Sequence, residues 1–385
     1  MTKLLLLGAS GSIGKQTLEV MKENPNDFSL EGFSVGHNIS VIDEIIKDHP
    51  EVKMIYMIEK EDALSFKERY PSIKFFFGNQ LTNIVNECDY EMMVNALVGF
   101  VGLVPTVKAL ERNKEVALAN KESLVVGGDI INNLLKEGKG KIYPIDSEHS
   151  AIYKCLHYEG HENDVNEIIL TASGGPFRDL SREELEDITV EDALNHPTWS
   201  MGKKITIDSA TMVNKCFEII EAYYLYGFGY EDIKVMIERT SHVHSLVKTK
   251  DNKYFAEISK PSMKNPIRYA LYKMNGDPGV NVYSSLEDIP YSLVSASTTR
   301  YPALKYAELV IKNKGTFGAI LNAANEEAVY AFLDKKISFL DIEKIIGKIL
   351  NTHINIAHPN IEDILLVDIN TRKKVQEMIT KGDYR

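Results

Sequence analysis

Cysteine is scarce in this sequence. Cys88, Cys155 and Cys216 are the only three in 385 residues, and none forms a CxxC pair. This argues against a disulfide framework or a zinc knuckle and fits a reducing compartment. Positive charge is also short: 44 Lys and Arg stand against 55 Asp and Glu, a formal net charge of −11. A nucleic-acid partner therefore has no global electrostatic support, and a phosphorylated ligand needs a local cationic site. No apolar run reaches membrane-spanning length, and Met1-Thr2-Lys3 leads straight into a strand pattern without a signal peptide. The expectation is a cytoplasmic protein with no membrane partner. Internal repeats and low-complexity segments are absent.

What is present alternates strand and helix patterns. "KLLLLG" (3–8) reads as a buried strand, "GKQTLEVMKENP" (14–25) as a helix stopped by Pro25, and "SLEGFSVG" (29–36) as a second strand. Further strand patterns at 53–58, 74–78, 90–97, 115–120 and 141–146 predict a Rossmann-like, doubly wound parallel α/β sheet over residues 1–146. Residues 147–280 read as a central α+β catalytic domain, 281–300 as a linker, and 301–385 as a C-terminal helical bundle.

Gly8, Gly11 and Gly14 follow the first strand and span the start of the first helix. Such glycines let the backbone approach a pyrophosphate, while the helix N-terminus offers N–H donors. The stretch Gly8, Ala9, Ser10, Gly11, Ser12, Ile13 and Gly14 is therefore a candidate dinucleotide loop, the alternative being a structural glycine turn. The second strand ends in Gly36, His37 and Asn38 with no carboxylate to hold a ribose 2′-hydroxyl. That favours NADP over NAD, unless His37 is a plain surface residue.

"IDSEHSAIYK" (145–154) puts Asp146 and Glu148 two residues apart after a strand, where both side chains can point the same way. Paired carboxylates repel, and an oxygen-preferring divalent cation removes that cost; a solvated acidic loop with a helix cap is the bland alternative. In "DSATMVNKCFEIIEAYYLYG" (208–227), a cap by Asp208, Ser209 or Thr211 is expected to start one helix. Glu218 and Glu221 share a face of it, as metal ligands or as ordinary surface acids. Ser209, Asn214 and Lys215, with the Ser-Gly-Gly turn of "LTASGGPFR" (170–178), can form a phosphate cradle. Between them "NHPTWSMGKK" (195–204) holds His196, the sole tryptophan Trp199, Met201 and Gly202, and reads as a lid over a ligand. His242 and His244 form an HxH pair, read as a polar sheet face rather than a metal site.

The motifs "GASGSIG", "NALVG" with "GLVPT", "ALANKESLV", "IDSEHSAI", "ASGGPFR", "HPTWSMGKKITIDSATMVNK" and "NAANE" occur in this order from Leu4 to the C-terminal helices. In this the chain resembles the 1-deoxy-D-xylulose 5-phosphate reductoisomerase family. The resemblance implies NADPH-dependent rearrangement and reduction of a phosphorylated ketose, 1-deoxy-D-xylulose 5-phosphate, to 2-C-methyl-D-erythritol 4-phosphate, a step of non-mevalonate isoprenoid synthesis. It implies a homodimer and a divalent metal, Mg2+ or Mn2+ with Co2+ as a further candidate, on Asp146, Glu148 and Glu218. Ser173, Ser209, Asn214 and Lys215 map onto the phosphate cradle, with His196 nearby. Lys121 and Ser147 map beside the metal-bound substrate oxygens, where Glu148 and Glu218 also meet the substrate. Glu122 and His149 map close to the reacting carbons, Asn120 and Glu122 near the cofactor, and Trp199 and Met201 in the closing loop. Three positions depart from the family pattern. Glu238 stands where a histidine is common. Ser262 and Lys264 alter a "PDMR" stretch, and His37 replaces a frequent lysine and weakens the charge available to a 2′-phosphate. A simple NADP-dependent dehydrogenase acting on another phosphorylated substrate remains the alternative; it needs the glycine loop but not the three acids.

Overall fold

The computed structural model describes residues 1–159, 164–199 and 201–384. The chain divides into two compact units. One comprises Met1–Ser123, Ile130–Asp146 and Ser262–Gly276; the other comprises Leu124–Asp129, Ser147–Pro261 and Asp277–Arg385.

The first unit runs β1 (Thr2–Leu7), α1 (Ser12–Glu23), β2 (Phe28–Ser34), α2 (Ile42–Asp48), β3 (Met54–Met57), α3 (Lys60–Arg69) and β4 (Lys74–Phe77). It continues with α4 (Leu81–Glu87), β5 (Met92–Asn95), α5 (Leu103–Glu111), β6 (Glu115–Leu118), α6 (Glu122–Lys136, of which Leu124–Asp129 groups with the second unit) and β7 (Lys141–Pro144). The strands form a seven-stranded sheet in the order β4-β3-β2-β1-β5-β6-β7, parallel throughout. Leu4, Leu5, Leu6 and Leu7 are wholly buried, as an unbroken apolar run must be when a sheet is covered on both faces. The strand order reverses between β1 and β5, and the carboxyl ends of these strands are where such a sheet binds ligands.

Residues 262–276, read from sequence as part of the catalytic domain, pack with this first unit. Their helix, Lys264–Leu271, lies against α1, β6 and β7. Lys264 pairs with Glu19 (2.6 Å) and Glu23 (3.1 Å), Arg268 pairs with Glu23, and the Tyr272 hydroxyl donates to Asp27 (2.5 Å).

The second unit contains α7 (Ser147–Leu156), β8 (Val165–Ala172), α8 (Val190–Ala193), α9 (Lys203–Thr211), α10 (Val213–Tyr226), β9 (Ile233–Ile237), β10 (Val243–Thr249) and β11 (Tyr254–Ile258). After Lys264–Leu271, which is α11, come β12 (Val280–Tyr283), β13 (Val294–Ser295), α12 (Ala303–Asn313), α13 (Phe317–Leu333), α14 (Phe339–Asn351) and α15 (Ile361–Lys381). The six-stranded sheet has the order β12-β11-β10-β8-β9-β13, with β8 and β9 parallel and the other pairs antiparallel. Helix α7 packs on β10 and β11, α10 on β8 and β9, and α13 against α14 and α15. A parallel α/β sheet, a mixed sheet and a helical C-terminal region are thus all present, as the sequence predicts.

Three local readings need correction. The single helix expected over 208–227 breaks at Met212, which is left-handed (φ 63°, ψ 12°). Asp208, Ser209 and Thr211 consequently lie inside α9 instead of capping a helix. The linker 281–300 carries most of β12 and all of β13. His242 precedes β10, and a bulge between Val243 and Ser245 interrupts the alternation that would give His242 and His244 one strand face.

Candidate active site

Strands β6 and β7 are parallel neighbours, so the residues after their carboxyl ends stand side by side. Lys121 follows β6 and Asp146 follows β7; the lysine Nζ lies 2.7 Å from Asp146 Oδ2, both side chains about nine-tenths buried. Asp146 is bonded to Ser147, the first residue of α7, so chain continuity carries its carboxylate beside the start of that helix. The Ser147 hydroxyl donates to Glu148 Oε2 at 2.5 Å. Opposite, α10 presents Asn214, Lys215 and Glu218 on consecutive turns. Asn214 Nδ2 donates to Glu218 Oε1 (2.5 Å), and the Lys215 ammonium bridges Glu148 Oε1 (2.8 Å) and Glu218 Oε2.

Asp146, Glu148 and Glu218 each offer an oxygen, and the three oxygens lie within 4.8 Å of one another. Glu218 is 1% exposed, which removes the surface-acid reading. An all-oxygen set of three carboxylates suits a hard divalent cation such as Mg2+ or Mn2+ rather than zinc. Burial works against the Lys215 charge, but Glu148 and Glu218 more than offset it and hold the ammonium above its ordinary range. The structure thus sets Lys215 on the acids, whereas the sequence reading made it the cradle's cation. Glu221 is also inward (2% exposed), 3.2 Å from Nε2 of a His149 with no exposed surface. The Tyr226 hydroxyl donates to the His149 carbonyl at 2.6 Å.

The residues of the candidate cradle gather at the end of β8. Ser173 precedes Gly174 and Gly175, which turn with φ of 80° and 69°. His196 Nε2 lies 3.2 Å from Ser173 Oγ and 3.1 Å from Ser209 Oγ. Its Nδ1 accepts the backbone N–H groups of Thr198 (3.2 Å) and Trp199 (3.0 Å). An Nδ1 that accepts leaves the proton of the neutral ring on Nε2, facing the serines. Of the lid stretch, Ser200 lies outside the described residues; Trp199 is half-buried. One residue that the sequence reading missed is Arg178, whose Nη1 donates to the carbonyls of Ser173 and Arg239, both at 2.9 Å. Its signal was present in "SGGPFR", where it follows the glycine turn it packs over.

Burial, then the Arg178 charge, depress the His196 pKa from 6.5. The unfolded chain therefore binds more protons than the folded one between that lowered value and 6.5, and stability rises with pH across this window. The contribution is complete above about pH 6.5 and is lost as the pH falls through the lowered value. Protonation also takes the Nδ1 acceptor from Thr198 and Trp199. Emission from Trp199 is expected to shift with a midpoint below pH 6.5, and His196→Gln should abolish that midpoint. A midpoint above 6.5 contradicts this geometry.

In the first unit, Gly8 N donates to Ser34 Oγ and Ala9 N to the Ser34 carbonyl, both at 2.8 Å, tying the glycine loop to the end of β2. No acidic residue occupies the first turn of α1, and no side chain caps it. That leaves its N–H groups and positive dipole end for an anion. Gly11, Ser12, His37 and Asn38 are exposed, and Ser10, Ile13 and Gly36 partly so. Asn120, expected near the cofactor, spends its side chain internally. Its Nδ2 donates to the carbonyls of Leu97 (3.0 Å) and Gly99 (2.9 Å) and to Glu122 Oε2 (3.1 Å), joining the turns after β5 and β6.

Family models described as 1-deoxy-D-xylulose 5-phosphate reductoisomerase match residues 4–128, and its C-terminal domains match 142–226 and 258–374. The 1-deoxy-D-xylulose 5-phosphate reductoisomerase of Listeria innocua is 42% identical over 98% of this chain and all of its own length, and that of Bacillus cereus is equally similar. Among solved structures, a DOX-P reductoisomerase in complex with NADPH, fosmidomycin and magnesium superposes with a TM-score of 0.88 at 32% identity, over 99% of this chain and 98% of that one. The Zymomonas mobilis enzyme in complex with NADPH gives 0.87 at 33% identity, over 98% and 99%. The buried acids, the serine cradle and the glycine loop therefore sit in a chain that belongs to the 1-deoxy-D-xylulose 5-phosphate reductoisomerase family.

Proposed function

We propose that this chain converts 1-deoxy-D-xylulose 5-phosphate to 2-C-methyl-D-erythritol 4-phosphate with NADPH, using a divalent cation held by Asp146, Glu148 and Glu218. The observation that carries this reading is the convergence of those three carboxylates, Glu218 buried and Asp146 and Glu148 partly so. When bound, the cation supplies Lewis-acid polarisation of the adjacent carbonyl and hydroxyl oxygens of the substrate. Lys121 and Ser147 flank these oxygens, and Lys215 balances the acids until ligands arrive. Ser173, Ser209, Asn214 and the Nε2–H of His196 bind the phosphate, whose binding energy positions the reacting end. Trp199 and Met201 belong to the loop that covers it. Glu122, anchored by Asn120, faces the reacting carbons near the cofactor. His149, being buried, acts by holding Glu221 and the first turn of α7.

The stretch Gly8–Gly14 binds the NADPH pyrophosphate, and the end of β2 with Gly36, His37 and Asn38 meets its ribose. We place the protein in the cytoplasm as a homodimer without nucleic-acid or membrane partners; among the described residues no helix is long and apolar enough to cross a membrane. The test is to incubate purified protein with 1-deoxy-D-xylulose 5-phosphate, NADPH and Mg2+ or Mn2+, and follow NADPH oxidation and the product's carbon skeleton. Branched 2-C-methyl-D-erythritol 4-phosphate should form only with metal, and kcat/KM should be higher with NADPH than NADH. NADPH oxidation giving an unrearranged product would instead mark a simple dehydrogenase.

A further inference from the structure

The "NAANE" stretch, residues 322–326, touches none of the ligand-binding groups assigned above, yet it is almost wholly buried in α13. Asn322 and Asn325 have no exposed surface and Glu326 is 8% exposed. Burying two amides and a carboxylate on one helix is costly unless they are held, and most of their bonds run to polar groups of this unit. Asn325 Nδ2 donates to Asp208 Oδ1 at 2.8 Å, across 117 residues of sequence. The other oxygen of Asp208 lies 2.8 Å from Lys204 Nζ, and Asp208 is 2% exposed. Behind them, Asn322 Nδ2 donates to Glu326 Oε1 (3.1 Å), Glu326 Oε2 pairs with Arg372 of α15 (2.7 Å), and Arg372 also pairs with Asp368 (2.7 Å). These groups form two polar clusters, Lys204–Asp208–Asn325 and Asn322–Glu326–Arg372–Asp368, joined by the backbone of α13 between Asn325 and Glu326.

The first cluster ends where the phosphate cradle begins. Asp208 immediately precedes Ser209, whose hydroxyl faces His196. Three residues later Met212 ends α9 and turns the chain into α10, the helix of Asn214, Lys215 and Glu218. The last turn of α9 is thus gripped from two sides. A Cβ on Gly175 would lie 3.0 Å from the Ser209 carbonyl, so the Ser-Gly-Gly turn abuts it directly. Asn325 holds the neighbouring Asp208 from α13. We infer that Asn325 is a positioning residue of the phosphate cradle: through Asp208 it fixes the last turn of α9 and with it the Ser209 hydroxyl. Glu326 and Arg372 make α15 the anchor of this tether.

The inference rests on the proposed function, and its test separates the two. Turnover of 1-deoxy-D-xylulose 5-phosphate is compared with turnover of the same sugar lacking its phosphate, each supplied at saturating NADPH and Mg2+. In Asn325→Ala, kcat/KM for the phosphorylated sugar should fall roughly ten- to a hundredfold, mostly through KM, since about 1.4 kcal/mol is tenfold in binding. For the unphosphorylated sugar, kcat/KM should change less than about threefold, because that sugar makes no use of the cradle. Asn325→Ser, too short to reach Asp208, is measured beside it in case the alanine variant does not fold. The reciprocal exchange Asp208→Asn with Asn325→Asp re-forms a donor–acceptor pair with its sense reversed, and it should recover most of the loss seen in Asn325→Asp alone. Equal losses for both sugars, or none for either, overturn the positioning role. Absence of turnover by the unaltered protein overturns the functional reading instead.

Discussion

Replacing Asp146 by Asn or Glu218 by Gln is expected to lower kcat by at least about a thousandfold while NADPH still binds, because a cation's stabilisation of developing charge is worth several kcal/mol. Each change is nearly isosteric. What disappears is one negative charge from a set of three whose oxygens lie within 4.8 Å. In Glu218→Gln the amide also faces the Lys215 ammonium, which keeps only Glu148 as its partner. A cation entering such a site meets two carboxylates and a lysine with no second acid to balance it. Activity should return only in part at high metal concentration, as a raised half-saturation point. Cofactor affinity, read by quenching or calorimetry, should stay within about threefold, because the proposed cofactor site, the glycine loop with the end of β2, contains none of these acids. Near-native turnover at limiting metal in either variant would mean that the acids are not the cation's ligands.

Gly14→Ala is expected to abolish NADPH binding, and it tests the opposite end of the molecule's chemistry. A Cβ at Gly14 would stand 2.2 Å from the Gly8 carbonyl oxygen and 2.6 Å from Ala9 Cα. Both neighbours are backbone, so no side chain can swing aside. Relief requires moving either α1 or the β1–α1 turn, at a cost of about 1–3 kcal/mol or more. Gly8 cannot yield easily, since it turns with φ 86° and its own Cβ position is 2.5 Å from the Ala96 carbonyl oxygen. The displaced loop then no longer aims its N–H groups at a pyrophosphate. Cofactor affinity should drop at least about a hundredfold, equal to roughly 3 kcal/mol, and the melting temperature should fall with it. If Gly14→Ala binds NADPH as tightly as the unaltered chain, this turn does not form the cofactor site.

The two predictions also mark what the amino-acid string discloses. The glycine loop and "DSEH" are legible because their chemistry sits in a few consecutive residues beside a strong apolar strand. The burial of Glu218 and Glu221 was not legible: helical spacing puts them on one face without saying which face is inside. The break at Met212 carries no sequence signal either, since methionine favours helix and only packing holds it left-handed. Lys215 was read as the cation of the phosphate cradle, and the structure adds its contacts with Glu148 and Glu218. Its pairing with Glu148 crosses 67 positions and exists only after folding. The placement of 262–276 depends on ion pairs more than 240 residues away, from Lys264 and Arg268 to Glu23, and no local pattern reports that.

The left-handed Met212 has a consequence for how this chain can vary in length. Its side chain is 2% exposed, and it is the single joint between a helix that aims Ser209 and a helix that aims Glu218. Adding one residue to α10 ahead of Glu218 turns everything after it by about 100° and advances it by about 1.5 Å. The carboxylate would then point away from Glu148, and Glu221 would leave His149. Deleting one residue does the same in the other direction. From Lys203 to Glu221 the chain is therefore closed to insertion and deletion. The exposed turn around Gly276 and Gly279, where added Cβ atoms would meet nothing, can lengthen freely. Length differences among chains built this way should collect in turns of the second kind and be absent from the two helices that meet at Met212.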